Sequence, residues 1–350
     1  MQDQRQSEAP SELALLRQIE RAARLGGMNR QDLGIQLGIG DDAALWRPRK
    51  GYEAILTTDW FLEGRHFLRD LHKPEAVGWK SLARAVSDVA AMGGQPRCCL
   101  VSLALSSDRA TGWLGGFLNG LSKAARKFGC PLVGGDTTRF RGTLVNVCVI
   151  GEIKTGIAIK RSGARVGDRI FVSGRLGEAE LGLKSLKKKK GMASSDNPLL
   201  QKHLYPSPRI ALGSWLASNQ LATAMMDLSD GLSSDLKRLS CASGTGARIF
   251  AAKLPVPGGP FSGRFDTRER LNAALHGGDD YELLFCVKSD LASKIPRKFS
   301  GVELTEIGEI IKGSEIALID SSGKQATLEA AGWDPFRRQS LSSDFLTSRA

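Results

Sequence analysis

Short unbroken apolar runs alternate along this chain with segments of helical apolar spacing, and that alternation predicts an α/β architecture in the first half. Strand-like runs fall at 54–59, 98–105, 131–133 and 144–153, with helical spacing between them at 74–92 and 111–128. The first of these helices opens on Pro74 and is closed by Gly93-Gly94, and the second ends at Gly129. An earlier helix is predicted at 11–25 with Ser11 as its cap, behind a loose polar arm at 1–10. In the 74–92 helix the apolar stripe is Gly78, Leu82, Ala85, Val86 and Val89. Asp88 falls with Ser81 and Arg84 on the opposite side, which periodicity alone assigns to water.

In the second half strands are predicted at 169–173, 222–227, 283–287, 302–311 and 315–319, and helices at 178–186, up to Leu216 and at 232–243. This is an α+β pattern, and the glycine-rich, basic stretch at 154–167 separates it from the first half. A length of 350 residues favours two domains, expected at 1–155 and 156–350.

Composition narrows the class. With 41% hydrophobic and 25% charged residues and no apolar run of about 18, the chain reads as soluble and non-membrane. The polar first 30 residues lack the apolar centre of a signal peptide, so a cytoplasmic location is expected. Cys98, Cys99, Cys130, Cys148, Cys241 and Cys286 show no CxxC spacing and read as reduced core thiols. A net charge of +12 raises nucleic acid as a partner, but no basic stripe interleaves with aromatics. The densest run, Lys187 to Lys190, reads as a solvated loop, so attraction of small anions is the milder explanation and no nucleic acid is expected.

The chemistry lies where elements end. Gly38-Ile39-Gly40 leads into Asp41-Asp42, the strand at 54–59 ends in Thr57-Thr58-Asp59, and Gly134-Gly135 precedes Asp136. Asp227, Ser229 and Asp230 sit at a strand-to-helix junction, where free backbone N–H groups favour anions. Hydroxyls and carboxylates are oxygen ligands for a hard cation, and glycine lets backbone approach a phosphate closely. If these acids converge, their repulsion demands cations, and magnesium ions carrying a nucleotide triphosphate would supply them. Arg161 is a candidate phosphate clamp. No P-loop, kinase catalytic loop, Rossmann fingerprint or Ser-His-Asp arrangement is present, and His72, His203 and His276 read as surface or packing residues.

Eight motifs in order, GIGDDAAL (38–45), TTDWFLEGRHF (57–67), SDVAAMGG (87–94), LVGGDTTR (132–139), RSGARVGD (161–168), HLYPSPRI (203–210), DLSDGLSSDL (227–236) and GGDDYEL (277–283), resemble the thiamine-monophosphate kinase family. That family belongs to the aminoimidazole ribonucleotide synthetase-like ATP-binding superfamily. The resemblance implies a two-domain PurM-like fold, in which the N-terminal sheet joins that of a second subunit in a dimer-spanning barrel. It implies a homodimer that transfers the γ-phosphoryl group of ATP to thiamine monophosphate by direct in-line transfer, without a catalytic nucleophile on the protein. Carried over by position, Asp42, Thr57, Thr58, Asp59, Asp88, Asp136, Asp227 and Asp230 are implied as magnesium ligands. Gly135, Asp136, Arg161 and Ser229 are implied as ATP contacts, and His66, Asp279 and Trp333 as the thiamine-phosphate side. Two departures stand out: Asp279 occupies a position where the family commonly has Glu, and the acidic-His-Phe ending appears as Asp334-Pro335-Phe336. Sister synthetases of the superfamily are the alternative activity, although the reactive Cys and Lys expected of a selenophosphate synthetase are missing from residues 1–40.

Overall fold

The computed structural model describes residues 12–24, 31–110, 112–188, 197–258 and 264–336; the expected arm at 1–10, the cap Ser11, and Lys189 and Lys190 of the basic run lie outside them, whereas Lys187 and Lys188, expected in a loop, are exposed residues at the end of a helix. The first half runs α1 (Glu12–Arg24), β1 (Ile35–Leu37), β2 (Leu45–Trp46), β3 (Tyr52–Leu62), α2 (Pro74–Ala91), β4 (Gln95–Leu105), α3 (Gly112–Phe128), β5 (Leu132–Arg139) and β6 (Leu144–Lys154). Its sheet has the order β3-β6-β4-β5, with β4 and β5 parallel and the other pairs antiparallel. The parallel pair needs a crossover, and α3 supplies it. β1 and β2 form a separate two-stranded sheet that brackets the Gly38–Asp42 loop.

The second half runs β7 (Arg169–Ser173), α4 (Glu178–Lys188), α5 (Pro198–Leu204), α6 (Ile210–Ser218), β8 (Ala222–Asp227), α7 (Leu232–Ser243), β9 (Gly246–Phe250), α8 (Thr267–His276), β10 (Leu283–Val287), β11 (Lys298–Phe299), β12 (Val302–Ile311), β13 (Ile316–Ile319) and β14 (Gln325–Thr327). Its mixed sheet has the order β14-β13-β9-β12-β7-β10-β8, with β11 paired to β12. Both large sheets are open among the described residues, and no closed barrel is formed by the single chain. No helix of the described residues is long and apolar enough to cross a membrane.

One hydrophobic core crosses from half to half, joining Val86 and Val89 of α2 to Leu212, Leu216, Met225 and Phe285 of the second half. α2 therefore lies between two layers. Backbone meets backbone at its C-terminal end, where a Cβ on Gly213 of α6 would lie 2.0 Å from the Ala90 carbonyl oxygen. The expectation that Ser81, Arg84 and Asp88 face water is corrected here: Ser81 is 1% exposed, Arg84 and Asp88 are half-buried, and Ser87 is fully buried. Periodicity sees one apolar stripe, whereas the second layer covers the polar one as well. A second correction concerns the cysteines: Cys98, Cys99, Cys130 and Cys286 are buried free thiols, but Cys148 is half-buried and Cys241 exposed.

Candidate active site

β3 alternates as a strand must, with Ile55, Thr57, Asp59 and Phe61 facing α2 and Leu56, Thr58 and Trp60 facing away. On the α2 side, the Thr57 hydroxyl donates to Asp88 Oδ2 at 2.5 Å, and one residue earlier the Ser87 hydroxyl donates to Asp227 Oδ2 at 2.7 Å. Two carboxylates from different layers thus meet, each steadied by a hydroxyl. Burial raises the Asp227 carboxyl to about 8, and the neighbouring Asp88 adds to the shift. Asp88 is raised in turn, first by burial and then by Asp59, against the pull of Thr57. The pair Asp88 and Asp227 is short of positive charge, whereas Asp59 beside it is held by the Arg84 guanidinium.

The 228–231 loop that follows β8 is shaped from beneath. Buried Asp235, one turn into α7, accepts the backbone N–H groups of Ser229, Asp230 and Gly231 on Oδ2, at 3.1, 3.0 and 3.1 Å. Burial and the nearby Asp230 push Asp235 up to about 7, while the loop amides and Arg238 pull it back. Arg238 bridges the Asp230 and Asp235 carboxylates. The loop so held turns the Ser229 and Asp230 side chains toward a cavity of about 690 Å³, which Thr58, Asp59, His66, Arg84, Asp88, Asp227, Asp279 and Trp333 also line.

The opposite wall is a relay of buried groups. Lys80 of α2, 1% exposed, donates to Asp279 Oδ2 at 2.8 Å and lies 3.3 Å from His203 Nδ1, whose Nε2 is 3.0 Å from His72 Nε2. Tyr281 donates its hydroxyl to Asp279 Oδ1 at 2.9 Å, and Arg84 approaches the same oxygen at 3.5 Å. Burial opposes the charge on Asp279, but Lys80 and Arg84 hold its carboxyl well below the usual range. Asp279 sits at φ +69°, so the backbone places this acid in a conformation that favours glycine. Burial and Arg84 lower His66 to about 4, and its Nδ1 accepts the Leu62 N–H at 3.0 Å, so the ring is neutral at pH 7. Trp333 lies 6.5 Å from that ring, centroid to centroid, with the Arg65 guanidinium over its face at 5.7 Å. Arg65 also donates to the Pro335 carbonyl at 2.7 Å, and the Trp333 N–H reaches the Asp230 carbonyl at 2.8 Å. These bonds fix the C-terminal segment against the cavity.

Asp42, Gly135 and Asp136 are placed elsewhere. They line a second cavity of about 940 Å³ between the 38–42 loop, the β4–β5 edge of the sheet and helices α1 and α3. Asp59, Val147, Val101 and Gly135 form one cross-strand row, so Asp59 and Gly135 are three strand spacings apart, about 14 Å. The next row, Trp60, Asn146, Ser102 and Asp136, puts Asp136 on the other face of the sheet. Gly135 is required where it stands: its φ is +150°, and a Cβ there would lie 1.9 Å from the Val101 carbonyl oxygen. Arg161 is exposed, yet its charge is near enough to lower both Asp88 and Asp227. The expected convergence is therefore partial within one chain: Thr57, Asp59, Asp88, Asp227, Ser229 and Asp230 gather with His66, Asp279 and Trp333; Thr58 lines the same cavity but turns its hydroxyl to Asn146 Oδ1 at 2.9 Å on the other face; Asp42, Gly135 and Asp136 form a separate group.

Several cavity residues carry no signal of their own in the sequence. Lys80 and Arg84 look like an exposed helix face, and His203 has no patterned context, until the second layer encloses them. Asp235 lies inside the 227–236 motif, but it falls four residues beyond the N-cap Gly231, where a capping box needs three, so no capping pattern singles it out. α8, which brings His276 and Asn272 to the cavity, was absent from the predicted elements although its capping box, Asp266 with Glu269, is legible. Arg209 and Glu282 form a buried ion pair, with Ser173 donating to Glu282 at 2.6 Å, so the 203–210 and 277–283 motifs lock onto each other.

The donor set fits a hard divalent cation, because every candidate group is a hydroxyl or carboxylate oxygen. Among the described residues no group of three or more His, Cys, Asp and Glu is arranged to hold a metal by itself. Paired oxygens beside a large cavity suit magnesium, which keeps waters and shares phosphate oxygens.

Comparison with known proteins places these features in context. Residues 40–153 match the family model for the AIR synthase related protein N-terminal domain, and residues 165–321 match that for its C-terminal domain. Thiamine-monophosphate kinase of Buchnera aphidicola is 38% identical over 287 residues, 80% of this chain and 86% of that protein. The crystal structure of thiamine-monophosphate kinase from Stenotrophomonas maltophilia superposes with a TM-score of 0.77 at 34% identity, covering 92% of this chain and 98% of the other. AaThiL complexed with AMPPCP and TMP superposes with a TM-score of 0.71 at 32% identity, covering 92% and 97%.

Proposed function

The chain belongs to the thiamine-monophosphate kinase family, and from that premise we propose that it transfers the γ-phosphoryl group of ATP to the phosphate of thiamine monophosphate, releasing thiamine diphosphate and ADP. The observation that carries this reading is the cavity itself, where buried acids short of positive charge face an aromatic and cationic wall. A relative of known structure holds AMPPCP, an ATP analogue, together with TMP.

Asp59, Asp88, Asp227 and Asp230, with Thr57 and Thr58, would hold magnesium here, and Asp42 and Asp136 would do so from the second group. The metal, when bound, neutralises charge on the nucleotide phosphates. Gly135, Asp136, Arg161 and Ser229 are assigned to ATP, and His66, Asp279 and Trp333 to the thiamine phosphate. Trp333 offers its face to the cationic heterocycle, while neutral His66 adds no charge against it. Asp279, saturated by Lys80, Tyr281 and Arg84, organises that wall rather than moving protons. The acceptor phosphate oxygen is already ionised near pH 7, so positioning and charge neutralisation suffice for direct in-line transfer.

We place the domain boundary at 155/156 and the active form as a cytoplasmic homodimer. The sheet width that separates Asp59 from Gly135 supports the dimer, since a second copy could bring its own β5 edge to the first chain's acids. Leu56 and Trp60, 70% and 53% exposed on the side of β3 turned away from α2, support a dimer-spanning barrel. The test of function is product formation from ATP, magnesium and thiamine monophosphate, read as ADP and thiamine diphosphate. Absence of both at micromolar enzyme would refute it.

A further inference from the structure

A phosphate monoester entering the cavity needs a cation that can be turned onto its oxygens. Arg84 lies at the floor between the two walls, its side chain 14% exposed. Its Nε and Nη2 fork onto Asp59 Oδ2 and Oδ1 at 2.9 and 3.0 Å, and Nη1 lies 3.5 Å from Asp279 Oδ1. Phe61 and Tyr281 flank the guanidinium, with ring centroids at 5.3 and 5.9 Å. Both oxygens of Asp59 are thus taken, although Asp59 also belongs to the acidic cluster assigned to metal.

A guanidinium fork on both oxygens of a carboxylate competes with a metal ion for them, by charge and by position, although each oxygen keeps a second lone pair. Resting on the phosphoryl-transfer reading, we infer that Arg84 is the acceptor-phosphate clamp: it forks onto Asp59 until magnesium takes that carboxylate, and then turns the same fork onto the phosphate of thiamine monophosphate. The geometry favours this exchange, because a guanidinium fork matches phosphate as it matches carboxylate. Asp279 and the two ring faces keep the released side chain at the cavity floor. Metal loading and acceptor binding are thereby coupled, and the coupling is reciprocal.

The test is a binding measurement on the full chain, by calorimetry, with Arg84→Met and Arg84→Lys beside the wild type. Thiamine monophosphate is titrated with and without magnesium and AMPPCP, magnesium is titrated alone, and unphosphorylated thiamine is the control. In the wild type, magnesium with AMPPCP should tighten acceptor binding at least about tenfold, a coupling of roughly 1.4 kcal/mol. Arg84→Met should lose that coupling, bind magnesium alone more tightly because its competitor is gone, and bind thiamine as the wild type does. Arg84→Lys, with charge but no fork, should fall between. Unchanged acceptor affinity in Arg84→Met, or weaker magnesium binding, would overturn the inference, as would an equal loss of thiamine and thiamine monophosphate binding. Failure of the activity reading would show instead in the wild type, as no product from ATP and thiamine monophosphate.

Discussion

The two acidic groups differ in how completely one chain builds them. Around Asp88 and Asp227 each carboxylate has a hydroxyl partner, a defined orientation and little solvent. Asp42 and Asp136 are exposed; Asp136 Oδ1 accepts its own neighbour's N–H, from Thr137 at 2.8 Å, and the Asp42 N–H donates to the adjacent Asp41 at 2.8 Å. The interior group stores repulsion that a cation relieves, whereas the rim carboxylates stand in solvent. Preorganisation in the first is set by packing of α2 between two layers, and in the second by backbone geometry alone.

Substitutions separate the groups most sharply when activity and stability are read together. Asp88→Asn and Asp42→Asn should both lower turnover by about 10³-fold or more, as loss of a charge-stabilising group does. Only Asp88→Asn should raise the Tm of the metal-free protein, because it removes repulsion with Asp227. Equal Tm changes in calorimetry would erase the distinction. A backbone test follows: Gly135→Ala should cost about 3 kcal/mol in denaturant unfolding, since a methyl group cannot share space with the Val101 carbonyl. Asp235→Ala should cost roughly 2 kcal/mol and raise the KM for ATP, by leaving three loop amides without their acceptor. An unchanged KM would show that the 228–231 loop keeps its shape without Asp235.

The smallest effect concerns pH. Burial pushes the Asp280 carboxyl up to about 8 from a model-peptide value of 3.8, against the N–H groups of Gly177 and Ala179. The folded state then holds the proton more tightly than the unfolded chain. The resulting stability is complete below about pH 4 and is lost as pH rises toward 8. Asp280→Asn should therefore flatten the fall in Tm between about pH 4 and 8, by a fraction of the wild-type slope. A steeper fall in the variant would contradict the assignment.

Much of the fold was legible because element ends carry local chemistry. Pro74, Gly93-Gly94 and Gly129 bracket their helices to within a residue or two, and the strands at 169–173, 222–227 and 283–287 fall where apolar runs put them. α8 escaped because its face is only weakly apolar, and β1 and β2 because three- and two-residue strands have no period to detect.

By itself the sequence determined which groups could bind metal and phosphate, since oxygen donors beside glycines at strand ends are a matter of residue type and order. Tertiary structure alone decided which of them meet. Asp88 and Arg84 became cavity residues only when the second layer closed over α2, and Lys80 became a buried cation only when Asp279 was brought within 2.8 Å of it. It also divided the acids into two groups, because strand order, which local periodicity does not encode, set β3 and β5 at opposite edges of one sheet. Periodicity records which side of an element is apolar, whereas burial of a polar side depends on what packs against it.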